Sequence, residues 1–352
     1  MSSLNYELTD ETKKVHGREL KRIRAILDMP EMGVRLGDLG GWIEKEGNLQ
    51  ESAWVFNEAC VHGDAQVRGE ASVRGAARVF GSATIEGNAR IEGSAEVYGS
   101  ARVSLSATIS DRATVFGGAH VTGTAVIADC ANVCGQSSIA GFAEVRGNAL
   151  VTGRALVSGG AKVSESARLM ENVKVVGLAK VYGTASLTGN AEVFEDACVY
   201  GNAILRGSCK VFGQARIHGN VTLSECARVS GRAQVFGLAE VWGAARVFGN
   251  AQVFGDAVIG GDAVIDGNAS ISSDLHYIHV NTYTGQPLSF TLTHTNGGHN
   301  IKMGCWRGDV DSLSLLIADD VWIETRQVEA GKARPEIEAL IAMARARIAR
   351  WQ

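Results

Sequence analysis

Ala53-Trp54-Val55-Phe56-Asn57-Glu58-Ala59-Cys60-Val61-His62-Gly63-Asp64-Ala65-Gln66-Val67-Arg68-Gly69-Glu70 is one six-residue unit written three times. A small residue opens each unit and an aliphatic follows two places later. The slot two places after the aliphatic tends to glycine, as at Gly63, Gly69, Gly75 and Gly81. The pattern then runs on without a slip. From Val55 to Ile271 every sixth residue is Val, Ile or Leu, which makes 37 hexads. The small residue is alanine throughout, except at Ser137, Val173, Cys209 and Val221.

A fixed period marks a repeat architecture and is read before any local propensity. Within the hexad, the two apolar residues are separated by one that is mostly polar, the period-2 pattern of a strand. The strand is very short. The glycine that follows permits the backbone conformation of a sharp corner, which a Cβ would penalise. Strands and corners of equal length make a coil with flat sides, each side stacking on the coil below as a parallel ladder. The aliphatics and alanines then point inward, and the residues between them point out.

Composition narrows the function classes. The net charge is −4 and the pI is near 6.1, with no basic stripe in the sequence of the kind that nucleic-acid binding uses. No apolar run approaches the length of a membrane span. The opening Met1-Ser-Ser-Leu-Asn-Tyr-Glu has no charged-then-apolar leader. The seven cysteines form no zinc spacing, Cys130-x-x-x-Cys134 being too weak a pattern. Reduced thiols and a cytoplasmic location are the expectation.

The segments flanking the repeat read differently. Lys13 to Ala25 alternates around His16-Gly17 as a β-hairpin does. Gly37-Asp-Leu-Gly-Gly-Trp-Ile follows. It lacks the strand–GxGxxG–helix setting of a phosphate loop and reads as structural, with Trp42 and Trp54 placed to cover the first coil. After Ser273, short strands are expected over Tyr277–Val280, Leu288–Thr293 and Asn300–Trp306, then a short helix over Asp309–Ile317. A C-terminal helix should start at Pro335, with Ile337, Leu340, Ile341, Ala344, Ile348 and Trp351 on its apolar face. The domain reading is 1–52 as a β cap, 53–273 as the repeat and 274–352 as an α+β segment.

The hexads resemble those of the hexapeptide-repeat acyltransferases, over roughly two thirds of the chain. One detail departs from that family, in which Gly or an acidic residue directly follows the aliphatic. Four features also resemble the YdcK family of enteric bacteria. They are Tyr6-Glu-Leu-Thr-Asp-Glu-Thr, Gly37-Asp-Leu-Gly-Gly-Trp-Ile-Glu, the unbroken hexads and Gly304-Cys-Trp-Arg-Gly. The resemblance implies a left-handed parallel β-helix with three hexads, or 18 residues, per triangular coil. It implies acyl transfer with acetyl-CoA as donor, a sugar among the candidate acceptors, and a homo-oligomer, with a trimer as the candidate state. No metal is expected, since His276, His279, His294 and His299 do not converge on one by their spacing. The family is named as an acetyltransferase from its repeat, so that label is itself a fold inference.

Hexapeptide acyltransferases commonly use a histidine as general base, since imidazole titrates near neutral pH. The solenoid histidines His62, His120 and His218 all fall on outward slots. His218 ranks first. Arg216 lies two residues earlier and is suited to a donor phosphate, while Tyr200 and Phe236 flank His218 one coil away on either side and are suited to a planar ring. His120 is second, with Arg102 and Ser138 in the same slot one coil away. Sorted by the 18-residue coil, outward aromatics form three columns: Tyr182, Tyr200, His218, Phe236, Phe254; Phe80, Tyr98, Phe116, Trp242; and Phe194, Phe212, Phe248. Such columns call for cover by the C-terminal helix, a cap or another subunit, or for mutual stacking. The family often shapes its acceptor pocket with a loop, and residues 53–273 contain none. A non-catalytic β-solenoid scaffold or binding protein therefore stands beside the enzyme reading.

Overall fold

The computed structural model describes residues 4–283, 287–318 and 330–351. The chain divides into two compact units, Met1–Glu195 and Asp196–Gln352, and the hexads fold as a parallel β-solenoid in both.

In the first unit each hexad yields a two-residue strand, the outward residue and its aliphatic, as in Arg78–Val79. Partners lie 18 residues apart: Val79 pairs with Val97 and Val97 with Val115. Successive hexads feed three different sheets. Corners are tied together as well as strands, Ser100 N–H donating to the Gly117 carbonyl at 2.7 Å. A strand of two residues is stable only because this ladder continues through the turns and leaves few buried amides unpaired.

The interior is as the period requires. The hexad aliphatics and alanines are fully buried. Ser137, in an alanine slot, donates its hydroxyl to the Cys134 carbonyl at 2.8 Å. Corners sit in the left-handed region, where glycine is unpenalised. Gly153 has φ of +74°, and a Cβ there would lie 2.5 Å from the Glu171 nitrogen in the next coil. Several corners nevertheless carry an acidic residue at positive φ, with a visible compensation. Asp129 (φ 60°) accepts the Gly147 N–H at 2.9 Å, and Glu171 (φ 61°) accepts the Gly189 N–H at 2.9 Å. A charge-assisted bond to the corner above offsets the strain of the corner below.

The N-terminal hairpin is Tyr6–Val15 and Arg18–Ala25, turning at His16 (φ 50°) and Gly17 (φ 75°). Positive φ at both central residues matches the twist of a two-residue hairpin. Arg18–Ala25 pairs antiparallel with Leu39–Ile43, which pairs parallel with Cys60–Val61. The hairpin thus covers the open edge of the first coil. Trp54 is 1% exposed and Trp42 7%, with Lys13 and Arg22 each 5.4 Å from the Trp42 ring centroid.

In the second unit the register holds from Ile217 through Val235 and Val253 to Ile271. A four-stranded antiparallel sheet follows: Tyr277–Tyr283, Pro287–Thr295, Gly298–Met303 and Trp306–Gly308. It packs Phe290, Leu292, Ile301 and Met303 against the helices Val310–Ala318 and Ala330–Ile348. The last helix begins at Ala330, not at Pro335. Proline's fixed φ is already helical, so the helix passes through it at the cost of one hydrogen bond. Its apolar face, Ile337, Leu340, Ile341 and Ala344, joins this second core, to which Tyr200, His218, Phe236 and Phe254 do not belong. The sheet is tied to the last coil by the Ala269–Thr295 bridge and by Asp266, which is 3% exposed and receives both Lys302 and Arg307.

Candidate functional site

The slot after each aliphatic points outward beside the corner. Coil spacing holds its side chains at a ring-stacking distance, so aromatic residues 18 apart become a ladder. In the second unit Tyr200 stacks on His218 at 4.9 Å and 14°, and His218 on Phe236 at 5.2 Å and 7°. Phe236 continues onto Phe254 at 5.1 Å. The ring faces of His218 are therefore held by two neighbours, while its nitrogens form no hydrogen bond with protein among the described residues. Burial pushes this imidazole below its ordinary value, and the charge of Arg216 pushes the same way. Arg216 is exposed, in register between Cys198 and Gln234. The arrangement gives a neutral, oriented imidazole able to accept a proton at its edge.

The five singled-out residues separate into two groups. His218, Arg216, Tyr200 and Phe236 converge in the second unit. His120 lies in the first, exposed, between Arg102 and Ser138. Beside it the Ser104 hydroxyl donates to Thr122 Oγ1 at 3.0 Å. Among the described residues no ring stacks on His120.

The sequence missed the setting of His62. Its slot is outward, yet it is 3% exposed. It stacks on Phe80 at 5.2 Å and meets His16 of the hairpin turn edge-on at 5.3 Å. Phe80 continues the stack onto Tyr98 and Phe116. Its Nε2 is buried without a hydrogen-bond partner, and burial lowers its pKa. The missing signal was the hairpin tip folding back over this rung, a contact 46 residues away in the chain that no local pattern encodes.

The C-terminal histidines His276, His294 and His299 make contacts within the fold. His276 stacks on His294 at 4.7 Å, and Trp351 meets both edge-on. His294 Nδ1 bonds the Ser270 carbonyl at 2.9 Å, and His299 Nε2 accepts the Val310 N–H at 3.0 Å. Among the described residues no group of three or more His, Cys, Asp or Glu side chains is placed to hold a metal ion. All seven cysteines are free thiols. No helix among the described residues is long and apolar enough to cross a membrane. A cavity of about 700 Å³ lies beside Asn250, Asn268, Ser270, Asn300 and Arg307, and one of about 470 Å³ lies between the two C-terminal helices. Neither touches His218 or His120.

No family model matches the chain, and no curated protein matches it. Among solved structures it is similar to a UDP-N-acetylglucosamine acyltransferase from Campylobacter jejuni, at 15% identity, over 69% of this chain and 73% of that one. The TM-score is 0.22. A superposition that poor carries no weight for fold or activity, and the fold stands on the coil register itself.

Proposed function

We propose that this chain is an acyltransferase of the hexapeptide-repeat kind, with acetyl-CoA as donor and a hydroxyl or amine, such as that of a sugar, as acceptor. The observation that carries the reading is the setting of His218: a neutral imidazole, fixed by two rings, with its nitrogens unclaimed by protein. His218 takes the acceptor's proton as the nucleophile attacks the thioester carbonyl, and the imidazolium returns that proton to the CoA sulfur as the carbon–sulfur bond breaks and the thiol leaves. Arg216 answers a donor phosphate. Tyr200 and Phe236 orient the imidazole and offer the donor their edges, because each has a face turned to His218. His120 is the second candidate base. A flat solenoid face supplies no pocket walls, so a second copy of the chain supplies them, in a homo-oligomer and by resemblance a trimer. The free thiols fit a cytoplasmic protein.

One observation favours a non-catalytic scaffold or binding protein instead. His218 occupies a rung that phenylalanine fills one coil on, and no described cavity adjoins it. Acetyl-CoA turnover against a panel of amino sugars separates the readings. His218→Phe keeps the stack and removes the base, so activity should fall about 10²–10⁴-fold with stability unchanged. Full activity in both His218→Phe and His120→Ala removes the proposed base. A wild-type protein that neither binds nor turns over acetyl-CoA decides for the scaffold.

A further inference from the structure

Where aromatic residues follow the aliphatic in successive coils, their rings stack face to face, as Phe80 on Tyr98 at 4.7 Å and 6° or Phe236 on Phe254 at 5.1 Å and 7°. This slot lays rings parallel, one per coil. In the second unit a different column reads Phe212, Ser230, Phe248. Backbone register sets the three one above another: Phe212 N–H donates to the Val229 carbonyl at 3.0 Å and Ser230 N–H to that of Val247 at 2.9 Å. Two phenyl groups thus stand two coils apart, about 9.6 Å, with only a hydroxymethyl group between. That separation is twice a stacking distance. The ladder lacks one rung.

Charge beside the gap is of one sign. Arg228, two residues before Ser230 on the strand Arg228–Val229 that leads into it, is in register with Arg246 one coil on, and both are exposed. Neither has a carboxylate partner among the described residues. Arg232, at the adjoining corner, is also exposed and donates to Gln214 at 3.2 Å. Asp266, next above Phe248, is shared by Lys302 and Arg307, and Lys302 Nζ lies 5.6 Å from the Phe248 centroid. Asp266 is thus already shared by two cations, while Arg228 lies in register between Lys210 and Arg246, a run of like charge in a chain of net charge −4. Like charges on neighbouring strands repel. Several other cations of the solenoid are matched along their column, as Arg78 by Glu96 and Lys174 by Glu192.

We propose that this face binds a planar heterocycle bearing adjacent phosphoryl groups, a nucleoside diphosphate in chemical class. The ring enters over Ser230 as the missing rung, and the phosphoryl oxygens meet the guanidinium forks of Arg228 and Arg246, with Arg232 at the corner. Stacking in such a slot tolerates different bases, because every base has a π face. Paired guanidiniums select phosphoryl groups over neutral ligands. The inference is independent of the acyl-transfer reading.

Calorimetry on the full chain with ADP, UDP, CoA, adenosine and inorganic pyrophosphate tests it. ADP and UDP should bind, with adenosine and pyrophosphate each weaker by about 10-fold or more, since each lacks half of the recognition. CoA binding that Ser230→Phe weakens as it weakens ADP assigns the site to a donor nucleotide, and CoA binding that Ser230→Phe leaves unchanged assigns the site to free nucleotides. Ser230→Phe completes the ladder with a side chain this slot already carries at Phe212 and Phe248. It should hold or raise Tm and weaken ADP by about 30-fold. Arg228→Gln and Arg246→Gln leave the rung open and should each cost about 10-fold for ADP, with adenosine unchanged. Unchanged ADP affinity in Ser230→Phe, pyrophosphate binding as tightly as ADP, or no nucleoside diphosphate bound at millimolar concentration overturns the proposal.

Discussion

Replacing Val145 with aspartate puts a charge where the solenoid is driest. Val145 is 0% exposed, in register between Ile127 and Val163. Three penalties add. Losing a buried valine side chain costs about 1.5–2 kcal/mol. A carboxylate that cannot be solvated there must take up a proton at pH 7, about three units above its ordinary pKa, or about 4 kcal/mol. The neutral acid still lacks a partner, for about 1–3 kcal/mol. The total of roughly 6.5–9 kcal/mol rivals the stability of a whole domain. Because each coil contacts only its neighbours, the loss is capped by the cost of opening the coils around residue 145. The pH dependence carries the signature. In the variant the folded-state pKa of the new aspartate is raised, so the deficit is smallest below about pH 4 and grows by about 1.4 kcal/mol per unit above it. Val145→Asn, of similar shape but without a titrating group, should show a deficit that does not vary with pH. Urea melts and amide exchange of residues 127–163 across pH 4–7 measure this. An unchanged midpoint, or a flat deficit for Val145→Asp over that range, would refute an inward-facing Val145.

Three further outcomes follow from the same geometry. Gly153→Ala should destabilise by at least about 1–2 kcal/mol from the left-handed backbone alone, plus the clash with the Glu171 backbone. A melt shifted no more than that of an exposed outward substitution would show the corner to be looser. Burial holds His62 below its ordinary value of 6.5, with His16 adding to the effect. The unfolded chain then binds a proton that the folded chain refuses, so stability should be full above about pH 6.5 and fall as pH drops below it. His62→Phe should flatten that dependence, and an equally steep acid profile in the variant would assign it to other groups. Sedimentation at micromolar concentration should give a homo-oligomer, and a monomer would remove the partner-built pocket proposed for His218.

The solenoid was legible because its grammar is local. A residue faces in or out by its place in the hexad, and its stacking partner is always 18 residues away, so Val79 beside Val97 or Tyr200 beside His218 needs only counting. The hairpin at His16-Gly17 and the strands over Tyr277–Val280 and Leu288–Thr293 were legible for the same reason, since turn chemistry and alternation act over a few residues; Asn300–Trp306, expected as one strand, instead turns at Gly304-Cys305 into the antiparallel pair Gly298–Met303 and Trp306–Gly308. The start of the last helix was misread because proline is favoured at a first position but not confined to it.

What the sequence alone determined, then, is everything set by nearest neighbours along the coil: the ladders, the corners, the dry interior, the aromatic columns and the gap at Ser230. Tertiary structure alone decided what distant segments cover. His62 is buried because a hairpin tip 46 residues earlier lands on it. Asp266 is satisfied because Lys302 and Arg307 return to it from the C-terminal sheet. The apolar face of the last helix is taken by that sheet. Such contacts are chosen by which surfaces bury best in three dimensions, a global competition that leaves no periodic mark in the chain.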